Sequence, residues 1–206
     1  TLVTISCGAN VNFDRLRHIA ERAAIGDRTE MLLAAEIPEQ PGSFRRFCEV
    51  LGRRGITEFN YRYADKNKAH IFVGVQLSGG QSEADKLLTE LGRANIVVID
   101  LSDNEMAKLH VRHMVGGRST DIQNEQLFRF EFPERPGALL DFLSAIGTDW
   151  NISLFHYRNH GSDYGRVLTG IDVPEGESER LEAHLLELGY SHWKESNNPA
   201  YTMFLQ

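Results

Sequence analysis

Glu36-Ile-Pro-Glu-Gln-Pro-Gly-Ser-Phe44 and Glu131-Phe-Pro-Glu-Arg-Pro-Gly-Ala-Leu139 are one stretch written twice, 95 residues apart. The segments downstream of them are copied too. Ile56-Thr-Glu-Phe-Asn-Tyr-Arg62 returns as Ile152-Ser-Leu-Phe-His-Tyr-Arg158 at an offset of 96. Val73-Gly-Val-Gln-Leu77 returns as Thr169-Gly-Ile-Asp-Val173 at 96, and Leu88-Thr-Glu-Leu-Gly92 as Leu185-Leu-Glu-Leu-Gly189 at 97. The drift places single-residue insertions in loops. Matched Pro, Gly, Phe, Tyr and Arg in one order mark an internal duplication, which has to be read before any single element.

Each unit reads alike. Met31–Ile37 and Gln126–Phe132 are apolar runs of strand length bounded by Pro. Pro-Gly then opens a helix. Phe44, Phe47, Cys48 and Leu51 fall at i, i+3, i+4 and i+7, as do Leu139, Phe142, Leu143 and Ile146, giving one apolar stripe per helix. Gly52 and Gly147 stand where those helices would stop. Two strands rich in aromatic and β-branched residues come next, Thr57–Tyr63 with His70–Leu77 and Ser153–Arg158 with Gly165–Val173. Their turns are at Asp65-Lys-Asn and His160-Gly-Ser-Asp. A second helix carries Ala84, Leu87, Leu88 and Leu91, or Leu181, His184, Leu185 and Leu188, and a last strand runs over Ile96–Leu101 or Tyr190–Lys194. The order β-α-β-β-α-β is the split βαβ of the ferredoxin-like sandwich, so the predicted class is α+β with two tandem sandwiches. Leu109–Val115 and Tyr201–Leu205 read as further strand-like tails. Residues 1–28 stand outside the repeat, with Asn12–Arg22 patterned as a short amphipathic neck helix; units then span 29–118 and 119–206, joined by the polar stretch Gly116–Glu125.

The chain has 206 residues, enough for two domains of about 100 residues. Its net charge of −7 argues against a phosphate-backbone binder, which needs a basic face. No 18-residue apolar run is present, so a membrane span is not expected. The start at Thr1 lacks a basic n-region, so a signal peptide is not expected; two cysteines, Cys7 and Cys48, cannot form a disulfide framework and read as free thiols in a reducing compartment, hence the cytoplasm. No CxxC, HExxH, GxSxG or phosphate-cradling glycine loop occurs, and no metal site is expected. His156 and His160 read as sheet or surface histidines. Glu36/Glu39 and Glu131/Glu134 read as solvated charges at a helix entry.

Two repeated features could carry binding. Pro41-Gly42 and Pro136-Gly137 place backbone N–H groups at a helix start, an arrangement suited to a carboxylate. Tyr61-Arg62 and Tyr157-Arg158 add a phenol and a guanidinium able to grip a carboxylate. Either these are parts of a pocket for an apolar amino acid, or Tyr and Arg simply pair across the sheet or the domain interface. Strand neighbours face opposite ways, so Tyr157 and Arg158 can share one pocket only if it wraps an edge. Gly74 and Gly170 are expected where backbones approach closely in a strand.

Longer strings carry a resemblance. Ser6–Arg17, Phe59-Asn-Tyr-Arg-Tyr63, His110-Val-Arg-His-Met-Val-Gly-Gly-Arg118, Phe132–Leu140 and Trp150–Arg158 resemble the C-terminal regulatory region of biosynthetic threonine dehydratases (threonine ammonia-lyases), with its pair of ACT-like domains. The resemblance covers the whole chain. It implies a full-length enzyme that uses pyridoxal phosphate to deaminate L-threonine to 2-oxobutanoate and ammonia, with isoleucine as feedback inhibitor and valine opposing it. The catalytic lysine and phosphate loop belong to the family's N-terminal domain, so this chain alone is expected to be catalytically silent, with no catalytic residue. The positions the family associates with effector response are, here, Tyr61, Tyr157, Arg158, Arg112, Leu139, Leu143 and Ile146. Diverged faces on the two units suggest two unequal effector sites in an inter-unit pocket, coupled through the neck helix to the catalytic domain, in a homotetramer.

Two other readings use the same topology. One is a purely oligomerising module. The other is an RRM-like RNA-binding module, suggested by Ile71-Phe-Val-Gly-Val-Gln-Leu77; but that motif sits on the third strand, Val167-Leu-Thr-Gly170 lacks a stacking aromatic, and the charge is wrong.

Overall fold

Unit one runs β1 (Glu30–Pro38), α1 (Ser43–Leu51), β2 (Ile56–Arg62), β3 (Lys68–Gln76), α2 (Gly80–Arg93), β4 (Val97–Asp100) and α3 (Glu105–Leu109). Unit two repeats it as β5 (Glu125–Pro133), α4 (Ala138–Ile146), β6 (Asn151–Arg158), β7 (Tyr164–Asp172), α5 (Ser178–Glu187), β8 (Ser191–Lys194) and α6 (Pro199–Phe204). The computed structural model describes residues 29–159 and 163–206, together with the helical positions Leu16, Ile19, Ala20 and Ala23. The remainder of the expected neck helix and the turn at 160–162 lie outside the described residues.

Period-two alternation sets the two faces of the sheet. In β1, Met31, Leu33, Ala35 and Ile37 enter the main core; in β5, Phe128, Phe130 and Phe132 do. The helices α1 and α4 lay their predicted stripes on that face, with Phe47, Leu51, Phe142 and Ile146 all buried. Leu32 and Leu127 point to the opposite face, where Phe72 and Ala107 join one small cluster and Leu154 and Tyr201 join the other.

All neighbouring strands are antiparallel, in the order β4-β1-β3-β2-β6-β7-β5-β8. Each half has the ferredoxin-like order, and the halves are joined edge to edge by β2 and β6 into a single eight-stranded sheet. The seam register pairs Phe59 with Tyr157, Asn60 with His156 and Tyr61 with Phe155. Asn60 and His156 are themselves repeat counterparts, so the pseudo-two-fold axis passes between them. Tyr63 N to Ser153 O at 2.7 Å and Asn159 N to Thr57 O at 2.8 Å extend the pairing by the same symmetry. Among the described residues no helix is long and apolar enough to cross a membrane.

The predicted strand-like tails are helical. After β4, Ser102 Oγ accepts the Leu32 amide at 3.0 Å and Asn104 Oδ1 caps α3 through the Ala107 amide at 3.0 Å. After β8, Ser196 Oγ accepts the Leu127 amide at 3.0 Å and Asn198 Oδ1 caps α6 through Ala200 at 3.0 Å. Their apolar residues mimic a strand, but a side-chain acceptor placed ahead of them starts a helical turn. Val111–His113 continues α3 as a 3-10 turn.

Gly74 and Gly170 do face a close approach, from side chains rather than backbone. A Cβ on Gly170 would sit 2.5 Å from Glu125 Oε1 and 2.9 Å from Ser153 Oγ; one on Gly74 would meet Thr57 Oγ1 and Glu30 Oε1. Gly170→Ala is expected to lower stability by about 1–3 kcal/mol, the cost of overpacking. Chemical denaturation of the variant beside wild type checks it.

Candidate functional site

On the helix-covered face the repeated tyrosines are sealed in. Tyr61 and Tyr157 are each 1% exposed. The Tyr61 hydroxyl donates to Glu39 Oε2, and the Tyr157 hydroxyl to Glu134 Oε2 at 2.6 Å. Asn151, from the other unit, donates to Glu39 Oε1 at 2.7 Å. The second glutamate of each Glu-x-Pro-Glu stretch is therefore a tyrosine acceptor and not a solvated entry charge. Burial pushes the Glu39 carboxyl above its ordinary range, offset in part by the hydrogen bonds from Tyr61 and Asn151. Only the first glutamate fits the sequence reading: Glu36 lies beside Lys68 and His70 at the surface and is held below its usual range, mainly by the Lys68 hydrogen bond.

The Pro-Gly helix starts are likewise taken up by the seam. Gly42 and Gly137 have φ of 84° and 86°, left-handed backbone that favours glycine. A Cβ on Gly42 would lie 2.8 Å from Thr148 Cγ2, and one on Gly137 would lie 3.3 Å from the Arg53 guanidinium carbon. Arg53 Nη2 also donates to Pro136 O at 3.3 Å. Each start is wedged by the residue just past the other unit's first helix.

The opposite face carries buried charge. Glu30 accepts from Thr57 Oγ1, and its counterpart Glu125 accepts from Ser153 Oγ and from Arg62 Nη1. Glu58 receives Arg112 Nη2 and, at 3.1 Å, Asn60 Nδ2. The Glu58 and Arg112 side chains are 1% and 6% exposed, which makes this an interior ion pair. The Nε–H groups of Arg112 and Arg62 have no acceptor among the described residues. Beside the pair opens a cavity of about 270 Å³, lined by Glu30, Thr57, Gln76, Arg112, Arg158 and Asn159 among others. Arg158 comes from unit two and lies opposite Glu58 in the seam register. Two guanidiniums and a carboxylate around one cavity suit a small zwitterion, whose carboxylate and ammonium need opposite charges side by side.

The seven positions expected to respond to effector do not converge on one cavity. Arg112 and Arg158 line this one. Tyr61 and Tyr157 lie across the sheet from it, and Leu139, Leu143 and Ile146 are buried core of α4. Alternation along β6 enforces the split: Tyr157 and Arg158 are neighbours on a regular strand, and the cavity does not wrap its edge. Sequence reasoning missed Glu30, Thr57, Glu58 and Asn60. The signal was there for two of them, since Glu30/Glu125 and Thr57/Ser153 recur at the repeat offset. A second cavity of about 300 Å³ lies beside α1, lined by Ile37, Ser43, Arg46, Phe47 and Ile96 among others. Among the described residues no group of three or more His, Cys, Asp or Glu could hold a metal.

A doubled ferredoxin-like sandwich with a charged cavity at its seam has the build of a ligand-responsive module. The family model for the C-terminal regulatory domain of threonine dehydratase matches residues 21–111 and again 116–205. The chain belongs to that family. It is 55% identical over 204 residues to the biosynthetic L-threonine dehydratases of Salmonella typhimurium and of Escherichia coli, covering 99% of this chain and 40% of each relative. It is 41% identical over 214 residues to the mitochondrial threonine dehydratase of Saccharomyces cerevisiae, covering 37% of that protein. The chain thus spans about two fifths of the length of these enzymes, and their C-terminal regulatory part is what it resembles.

These contacts set two expected outcomes. Arg112→Ala leaves Glu58 buried and unpaired and should cost about 3–5 kcal/mol, whereas Glu58→Leu with Arg112→Gln should be near neutral or stabilising. That double change copies Leu154 and Gln206 of unit two; urea denaturation compares the variants. Burial, then the hydrogen bond to a carboxylate, raises the Tyr61 and Tyr157 phenols well above their ordinary 10.0. A folded pKa above the unfolded one means stability is present below pH 10 and lost as pH rises past it. Alkaline melting curves should fall less steeply above pH 10 for Tyr61→Phe and Tyr157→Phe than for wild type.

Proposed function

We propose that this chain is the effector-sensing part of a pyridoxal-phosphate-dependent threonine ammonia-lyase, with isoleucine as feedback inhibitor and valine as its antagonist. The observation that carries the reading is that Arg112, Arg158 and Glu30 line one cavity at the seam between units. An amino acid's carboxylate would meet the guanidiniums and its ammonium would meet Glu30. Isoleucine and valine differ by one methylene, worth about 1–3 kcal/mol in a fitted pocket. That matches the usual size of an allosteric coupling.

Tyr61, Tyr157, Leu139, Leu143 and Ile146 act in this reading through the sheet and not by touching effector. Their hydroxyl and apolar contacts fix where β2, β6 and α4 lie, and so where the two arginines sit. The sensed change would pass along residues 12–22 to the catalytic portion, in a homo-oligomer.

Among the described residues no lysine stands at the cavity to hold pyridoxal phosphate. Lys68, Lys86 and Lys194 are exposed and paired with Glu36, Glu90 and Glu182, and Lys108 pairs with Glu105. The cofactor and the deamination belong, in this reading, to the part of the enzyme outside this chain.

Titration calorimetry on the full-length protein tests the assignment. Isoleucine binding is expected in wild type and should weaken at least tenfold in Arg158→Ala. Equal affinity in the two proteins would remove the cavity from consideration and leave an oligomerising module as the better account.

A further inference from the structure

The cavity of about 300 Å³ beside α1 is built from unit one alone, between that helix, the end of β1 and the turn into β4. β3 and β2 stand between β1 and the seam, so this cavity is separate from the one that Arg112 and Arg158 line. Its floor is apolar, made by Ile37, Phe47, Val50 and Ile96. Repeat position accounts for the space. Val97 pairs with Glu36 and Ser191 with Glu131, so Ile96 corresponds to Tyr190 and Ile37 to Phe132. In unit two the Tyr190 ring packs on Phe132 at 6.1 Å and on Phe142, the counterpart of Phe47, at 5.6 Å. Unit one has two aliphatic side chains where those two aromatic rings stand.

Two polar side chains at the wall are left over. Ser43 is 3% exposed, and its Oγ has no hydrogen-bond partner among the described residues. Burying a hydroxyl with no partner is destabilising, and the unit-two counterpart, Ala138, has none to bury. Arg46 makes no hydrogen bond or ion pair among the described residues, whereas its counterpart Asp141 is held by Arg135 at 2.7 Å. The carboxylate at the rim, Glu36, is already taken by Lys68 at 2.7 Å and His70 at 3.2 Å. An incoming carboxylate therefore finds a guanidinium to bind it, and an incoming ammonium finds only a carboxylate that has its partners.

We propose that this cavity is a second ligand site, for a short aliphatic carboxylate that carries no ammonium group, such as a 2-oxo acid. The hydrocarbon tail lies on Ile37, Phe47, Val50 and Ile96, the carboxylate meets Arg46, and a ligand oxygen accepts from the Ser43 hydroxyl. The site is independent of the seam cavity and of what binds there.

The matched probes are 3-methyl-2-oxopentanoate and L-isoleucine, one carbon skeleton with a carbonyl in place of the ammonium-bearing carbon. Calorimetry on the full-length protein should show the 2-oxo acid binding to wild type. Binding should be at least about tenfold weaker in Arg46→Gln, the size of a lost hydrogen bond to a charged group. Ile96→Tyr, which copies unit two, should bind one equivalent fewer per chain. Arg46 is exposed, so its variant is expected to fold, and cooperative thermal unfolding checks both. No 2-oxo acid bound by wild type, or equal binding by wild type and the two variants, would overturn the site. Isoleucine binding weakened in step with that of the 2-oxo acid would overturn the exclusion of the ammonium group.

Discussion

The hydrogen-bonded seam between β2 and β6 is the constraint on which the rest depends. It converts two small sandwiches into one continuous sheet and sets their pseudo-two-fold relation. Because the axis runs between Asn60 and His156, each residue near the seam pairs with the counterpart of a neighbour, Phe59 with Tyr157 and Tyr61 with Phe155; Phe59 also packs edge-on to its own counterpart Phe155 at 5.4 Å, and Phe44 to Tyr61 at 4.8 Å. That aromatic layer lies under α1 and α4, which touch each other, the glycine start of each being met by a residue just past the end of the other. An antiparallel pairing of this kind also decides which charges meet. It brings Arg158 opposite Glu58, and hence toward Arg112, though these residues are far apart in sequence.

From that seam the sheet acquires two characters. The helix side is apolar, filled by Phe and Leu, with the Tyr61 and Tyr157 hydroxyls each consumed by a glutamate. The other side has carboxylates, hydroxyls and guanidiniums at the same repeat positions, held close by the missing side chains of Gly74 and Gly170. Buried charge of this sort adds little net stability once its desolvation is counted.

The strands and four main helices were legible because each element had a strong local signal and was stated twice. Phe44, Phe47, Cys48 and Leu51 at helical spacing, or the alternation of Phe128, Phe130 and Phe132, allow one interpretation each. The α3 and α6 segments were misread because their apolar residues look equally like a strand, and the deciding feature is an Asn side chain ahead of them. The candidate site was legible only in part. Arg112 and Arg158 could be named through resemblance, but that they share a cavity while Tyr61 and Tyr157 face away is a property of strand alternation and register. Glu30 recurs as Glu125, yet neither Glu30 nor Glu58 reads as buried, since a glutamate reads as surface until its partner, 27 residues away for Thr57 or 54 for Arg112, is known.

One small asymmetry in the apolar layer has a practical consequence. Cys48 occupies the position that Leu143 holds in unit two, is buried at 2% exposure, and burial lifts its thiol well above the ordinary range. A thiolate is the reactive form, so alkylating reagents can modify it only when α1 lifts from the sheet. Unit one thus contains a chemical clock for its own opening, and unit two contains none at the matching place.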